Sequence, residues 1–294
     1  RKESSAASDV YKRQERGRIH EMKDQETAAS TVCDWSKTAL DPENAYQLLD
    51  RAFFEVISAR PRPKHIQVPI SVLGALAKPS LDPIKINLNK LDQPHLHEQV
   101  ADELSSARRV IVIVGGGCVA ASIELRFLIE RIGAASFSTY AGRGVINDNN
   151  KLYFGATLAR ADSVHDFAQA DLVLAIGTTL SEVDLWRNHI GHNCKLIRVD
   201  IDPSQLGDQH KSDLTIMADA KTFIAGVNSK LKEYTINSDW DEGYVKNRRA
   251  IFRKQVNAER PGIVPLVDAL HEVLNEDTLI YSGTKYLFSS SFYD

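Results

Sequence analysis

Residues 110–121 read VIVIVGGGCVAA, and the fold follows from this stretch. Five apolar β-branched residues in a row, Val110 to Val114, are what a strand carries when helices cover both of its faces. Gly115, Gly116 and Gly117 come next, where the chain turns sharply into a helix. That helix is marked by Ala121, Leu125, Leu128 and Ile132 at spacings of three and four, and Gly133 closes it. Strand, glycine turn and helix in this order match the pattern of a nucleotide-binding βα unit. Glycine lets the backbone approach a phosphate, and the helix start offers free N–H groups to an anion. The spacing Gly115-x-Gly117-x-x-Ala120 is an accepted form of the dinucleotide pattern, but it serves plain strand–turn–helix packing equally well.

Outward from this unit the alternation continues. Residues 134–139 read as a second strand, 164–168 as a helix, and 171–176 (DLVLAI), 196–201 (LIRVDI) and 214–217 as further strands. Ile224, Val227 and Leu231 mark a closing helix face. Strands separated by helical patterns predict an α/β fold with a doubly wound parallel sheet. Upstream, Ala45, Leu48, Leu49, Ala52, Phe53 and Val56 predict a helix over residues 42–59, and residues 65–72 (HIQVPISV) alternate like a strand. Downstream lie a polar helical pattern over 239–258, a second over 261–274 and a strand candidate at 277–282 (DTLIYS). Residues 1–14 (RKESSAASDVYKRQ) carry no period and read as a disordered or non-native tail.

Composition narrows the function classes. With 294 residues, 43% hydrophobic and 26% charged, the chain suits one or two globular domains. A net charge of -3, with Lys and Arg dispersed, argues against a nucleic-acid partner. The apolar runs are too short to span a membrane. The three cysteines, Cys33, Cys118 and Cys194, include no CxxC pair, and a reducing cytoplasmic compartment is the default. His189, His192 and Cys194 (HIGHNC) match no standard zinc spacing. Asp200 and Asp202 (DIDP) stand at a strand's carboxyl end, where open α/β sheets meet ligands; a turn and helix cap uses the same residues. An NAD site wants an acid about 20 residues beyond the glycine turn. Thr139, Tyr140 and Ala141 occupy that place, which disfavours NAD.

Several segments together resemble the thiamine diphosphate-dependent enzymes of the acetolactate synthase and 2-oxoacid decarboxylase group. Residues 59–72 (ARPRPKHIQVPISV) are similar to the family's GRPGPVxIxxPxDV segment, although Ala59, Arg62, Lys64 and Ser71 depart from it. Residues 112–117, 139–144 (TYAGRG), Gly155, 171–177, 199–203 and Asp219 follow the order of the family's middle domain. Residues 277–286 look like the start of its pyrophosphate-binding domain, with Gly283 where an acid is common. The stretches GRIHEM (17–22) and GTTLSEVD (177–184) are closest to 5-guanidino-2-oxopentanoate decarboxylases.

This resemblance implies a Rossmann-like middle domain of the DHS-like NAD/FAD-binding type at 95–232. Residues 15–73 would end a pyrimidine-binding domain, 74–94 a linker, 233–260 a linker helix, and 261–294 the start of a pyrophosphate-binding domain. The cofactor-binding candidates it implies are Gly115, Gly116, Gly117, Thr139, Gly155, Gly177, Thr178, Asp200, Asp202 and Asp219. Thiamine diphosphate and Mg²⁺ are the cofactors of the family, with FAD or ADP a further ligand for the middle domain. The loop Gly177-Thr178-Thr179-Leu180 lacks the arginine of the family's FAD binders, which puts tight FAD binding in question. The implied substrate is a 2-oxo acid and the implied assembly a homodimer or homotetramer. The activating Glu and the Mg²⁺ segment are expected outside this chain, so no catalytic or metal-binding residue is assigned and the chain alone is expected to be inactive. Competing readings are a non-catalytic ADP- or FAD-binding module and an NAD-consuming deacylase, the latter disfavoured by the missing paired cysteines.

Overall fold

The computed structural model describes residues 22–78, 93–275 and 278. The predicted tail at 1–14, most of GRIHEM and of the 277–282 strand candidate, and Gly283 lie outside the described residues. The chain divides into two compact units, residues 1–88 and 89–294.

In the first unit, helix α1 (Gln25–Ser30) leads into strand β1 (Trp35–Thr38), helix α2 (Pro42–Ser58), strand β2 (Lys64–Gln67) and the short helix α3 (Ile70–Leu73). Strands β1 and β2 pair in parallel, with Trp35 opposite Lys64. The start of α2 is built as its sequence requires. Asp41 accepts from the Asn44 N–H at 2.7 Å, and Pro42 stands in the first turn where its missing N–H costs nothing. The strand predicted over 65–72 stops at Gln67. Pro69 has no N–H to donate to a ladder and instead opens α3, so the alternation beyond it belongs to a helix. The apolar side of α2 meets no core among the described residues. Phe53 is 64% exposed and Ile57 56%.

The second unit begins with helix α4 (Pro94–Ser106) and strand β3 (Val110–Val114). A 3₁₀ turn over Gly116–Ala121 precedes helix α5 (Ser122–Ile132) and strand β4 (Ala135–Ser138). Then come helix α6 (Ser163–Phe167), strand β5 (Leu172–Ile176), helix α7 (Glu182–Leu185), strand β6 (Lys195–Asp200), helix α8 (Pro203–Leu206), strand β7 (Leu214–Met217) and helices α9 (Ala220–Leu231), α10 (Glu242–Glu259) and α11 (Ile263–Val273). All five strands are parallel, in the order β4-β3-β5-β6-β7. The predicted doubly wound parallel sheet is therefore present.

Alternate residues of β3 serve opposite faces, as a pleated strand requires. Val110, Val112 and Val114 pack with Leu104, Leu125, Leu128, Phe223 and Val227 from α4, α5 and α9. Ile111 and Ile113 join Phe137, Phe154, Phe167, Val245 and Phe252 on the other face. There Phe137 stacks between Phe154 and Phe167, at centroid distances of 4.5 and 5.0 Å. The helix predicted from residue 239 starts at Glu242, because the Asp241 carboxylate accepts from the Gly243 N–H and caps it.

A buried ion pair holds α10 to the second face. Asp166, fully buried, takes Nε and Nη2 of Arg248 at 2.7 and 3.0 Å and the Tyr244 hydroxyl at 2.8 Å. Removing one partner leaves the other charge buried and unpaired, which costs about 3–5 kcal/mol. We expect Asp166→Ala to lower unfolding free energy by about that much in urea titrations. The double replacement Asp166→Leu, Arg248→Met should recover most of it. A single replacement within about 0.5 kcal/mol of wild type would contradict this account.

The thiol of Cys118 gives a pH-dependent expectation. Its Sγ donates to the Ile176 carbonyl at 3.3 Å, and burial pushes its pKa up from 9.0 to about 12. The folded state thus favours the neutral thiol, so this group's contribution is intact below about pH 9 and is lost as pH rises toward 12. Cys194, raised by burial to about 11, titrates in the same window. The slope of stability against pH above 9 should therefore be shallower in Cys118→Ala than in wild type; identical slopes would show that the thiol does not contribute.

Candidate functional site

The ten candidate residues all lie at or next to the carboxyl ends of the strands. Thr139 follows β4, Gly115 to Gly117 follow β3, and Gly177 and Thr178 follow β5. Asp200 ends β6 with Asp202 two residues on, and Asp219 lies two residues past β7. Gly155 sits beside the end of β4, where its carbonyl accepts from the Ser138 N–H at 3.2 Å. The strand order reverses between β3 and β5, the place where an open parallel sheet leaves a ligand crevice.

At that reversal the loops close on one another. The Gly115 N–H donates to the Ile176 carbonyl at 2.9 Å and the Gly117 N–H to the Gly177 carbonyl at 3.0 Å. Gly177 is left-handed, with φ at +60°, and its own N–H donates to the Val199 carbonyl at 2.8 Å. A Cβ on Gly115 would lie 2.1 Å from the Gly177 oxygen, and one on Gly117 would lie 2.8 Å from the Gly177 Cα. On the other flank the Thr139 N–H donates to the Val114 carbonyl at 2.9 Å, and a Cβ on Gly142 would lie 2.2 Å from that same oxygen. The helix predicted directly after the glycines does not start there. Residues 116–121 wind as a 3₁₀ turn, and α5 begins at Ser122.

The acidic candidates are engaged by their own turns. Asp200 Oδ1 accepts from the Asp202 N–H at 2.9 Å. Asp202 Oδ1 accepts from the Ser204 N–H and hydroxyl at 3.0 and 2.7 Å and caps α8. Asp219 does the same for α9 through the Thr222 N–H and hydroxyl, both at 3.1 Å. Thr178 turns its hydroxyl back to accept from the Leu180 N–H at 3.1 Å.

Two arginines hold the loops behind this edge. Arg198, 1% exposed, grips Asp208 through both terminal nitrogens at 2.6 and 3.1 Å. It also donates to the Gln205 and His210 carbonyls, fixing the β6–β7 connection. Arg187 donates to the carbonyls of Leu158, Leu185, His189 and Ile190 and to the Ser163 hydroxyl, at 2.8–3.2 Å. Burial lowers its pKa. Gly142 was within reach of the sequence, in the TYAGRG stretch, but its neighbour is a carbonyl 28 residues upstream. Arg187 carried no signal, because its partners are backbone carbonyls from separate segments. Among the described residues no three His, Cys, Asp or Glu side chains converge where they could hold a metal ion. A cavity of about 470 Å³, lined by Asp148, Asn150, Lys151, Glu242, Lys246 and Arg249, includes none of the ten candidates.

Comparison with known proteins places this geometry. The thiamine pyrophosphate enzyme central domain matches residues 97–227. A probable 2-ketoarginine decarboxylase of Pseudomonas aeruginosa is 34% identical over 239 residues, covering 81% of this chain and 43% of that protein. A probable acetolactate synthase of Oryza sativa subsp. japonica is 29% identical over 66% of this chain and 31% of its own. The large subunit of a probable acetolactate synthase from Methanococcus aeolicus is 27% identical over 74% and 38%. The chain thus spans less than half the length of these curated relatives. No described helix is long and apolar enough to cross a membrane. The family match, with these relatives, identifies residues 97–227 as a thiamine pyrophosphate enzyme central domain, and the parallel α/β sheet is consistent with one.

Proposed function

We propose that the protein carrying this chain is a thiamine diphosphate-dependent 2-oxoacid decarboxylase whose substrate has a cationic guanidino side chain, as in 2-ketoarginine. The observation that carries this reading is the 34% identity to the 2-ketoarginine decarboxylase along 81% of the chain. The acetolactate synthases, which are less similar and cover less of the chain, support C–C bond formation between 2-oxo acids as the second reading. The arginine-free loop Gly177-Thr178-Thr179-Leu180 weighs toward the decarboxylase.

Thiamine diphosphate supplies the electron sink that lets a 2-oxo acid lose carbon dioxide, and the protein positions and tunes it. Hard oxygen ligands would hold the accompanying Mg²⁺. No catalytic step is assigned to the described residues. Their part is structural: a rigid parallel sheet whose strand ends are tied together. The working protein is read as a cytoplasmic homodimer or homotetramer.

The test is carbon dioxide release by the whole protein supplied with thiamine diphosphate and Mg²⁺. With 2-ketoarginine, kcat/KM should exceed that for pyruvate by at least about tenfold. Acetolactate as the main product from pyruvate would replace this reading with the synthase. Residues 1–294 alone should release none above background.

A further inference from the structure

The family resemblance brings with it a nucleotide, FAD or ADP, held at the glycine turn. The residues present do not fit one. A phosphate cradle needs backbone N–H groups that point into open space at the start of a helix. Here two of the three glycine N–H groups, those of Gly115 and Gly117, already donate to Ile176 and Gly177. Protein closes on two flanks of the turn, although Gly117 itself is exposed: the Gly177 oxygen stands where a Cβ of Gly115 would point, and Ala141 and Gly142 press from the other flank. The α-helical N-terminus is displaced as well. At about 2 Å per residue, the six-residue 3₁₀ turn carries the first turn of α5 roughly 12 Å away from Gly115. The carboxylates that would meet a ribose, Asp200 and Asp202, face their own backbone turns.

We infer that the Gly115–Gly117 turn is a clamp that locks the ends of β4, β3 and β5 together, and that FAD and ADP do not bind in this crevice. The glycines are needed because a Cβ on Gly115 or Gly117 would meet the Gly177 backbone, and one on Gly116 would meet the Ala141 side chain. The inference stands whether the protein is a decarboxylase or a synthase.

Two measurements test it. First, the whole protein, with thiamine diphosphate and Mg²⁺ present to fill their own site, is titrated with ADP and with FAD by calorimetry and labelled with 8-azido-ADP. We expect no saturable binding up to about 1 mM, or binding whose label lies outside residues 112–121, 139–144 and 177–186. Saturable binding with label inside those segments, or a co-purifying flavin lost in Gly117→Ala, would overturn the inference. Second, the unliganded variants should lose thermal stability in the order of their predicted clashes: Gly115→Ala most, at 2.1 Å, then Gly117→Ala at 2.8 Å, then Gly116→Ala at 3.0 Å. Failure of the first two to fold while the third folds meets that order. Three variants all as stable as wild type would show that the glycines do not serve packing. The titration of unaltered protein decides the nucleotide question even if no variant can be purified.

Discussion

At the point where the strand order reverses, backbone meets backbone with no side chain between. The hydrogen bonds from Gly115 to Ile176, from Gly117 to Gly177 and from Gly177 to Val199 run as a chain across the ends of β3, β5 and β6. This contact needs residues without a Cβ on both loops. A 2.1 Å approach to a carbonyl oxygen cannot be relieved by a rotamer change. It fixes how β3 and β5 end, and so where each outgoing loop starts. The sheet's apolar faces and the caps of α8 and α9 are arranged around those ends.

Away from the turn, the unit's buried arginines are held by specific partners. Arg198 lies in the middle of β6, beside the Val-, Ile- and Leu-rich strands β3 and β5, and it is tolerated because Asp208 and two carbonyls meet its guanidinium. Asp166 and Arg248 play the same part between α6 and α10. Arg187 differs, since carbonyls and one hydroxyl are the acceptors seen around it. Carbonyl dipoles offset desolvation less well than a carboxylate does, which is consistent with its lowered pKa. Arg198 and Arg187 tie connecting segments to one another, so the loops beside the edge that resembles a ligand site are held firmly.

That stiffness bears on what a middle domain contributes to a thiamine enzyme. The chemistry belongs to the cofactor, and the protein's task is to present it in a fixed frame. The same glycine-rich strand end can serve a bound phosphate or bind its own neighbouring loops. The pattern of residues is common to both uses, and only the direction of the N–H groups separates them.

How much of this was legible in the sequence follows from the range of the forces involved. Hydrophobic period is a local property. The runs at 110–114, 171–176 and 196–201, and the helix face of Leu125, Leu128 and Ile132, declared the parallel sheet and most of its helices unaided. The placement of the candidate residues at strand ends came with them. Local reading failed where a single residue overrides the period, as Pro69 does in cutting the strand predicted over 65–72, or where a cap sets the start, as Asp241 does for α10. Tertiary structure alone decided what the glycines and aspartates do. Whether a Gly115 N–H points at a ligand or at the Ile176 carbonyl depends on a strand some 60 residues further along the chain. A hydrogen bond reaches only about 3 Å, so the answer exists only once the two strands are paired.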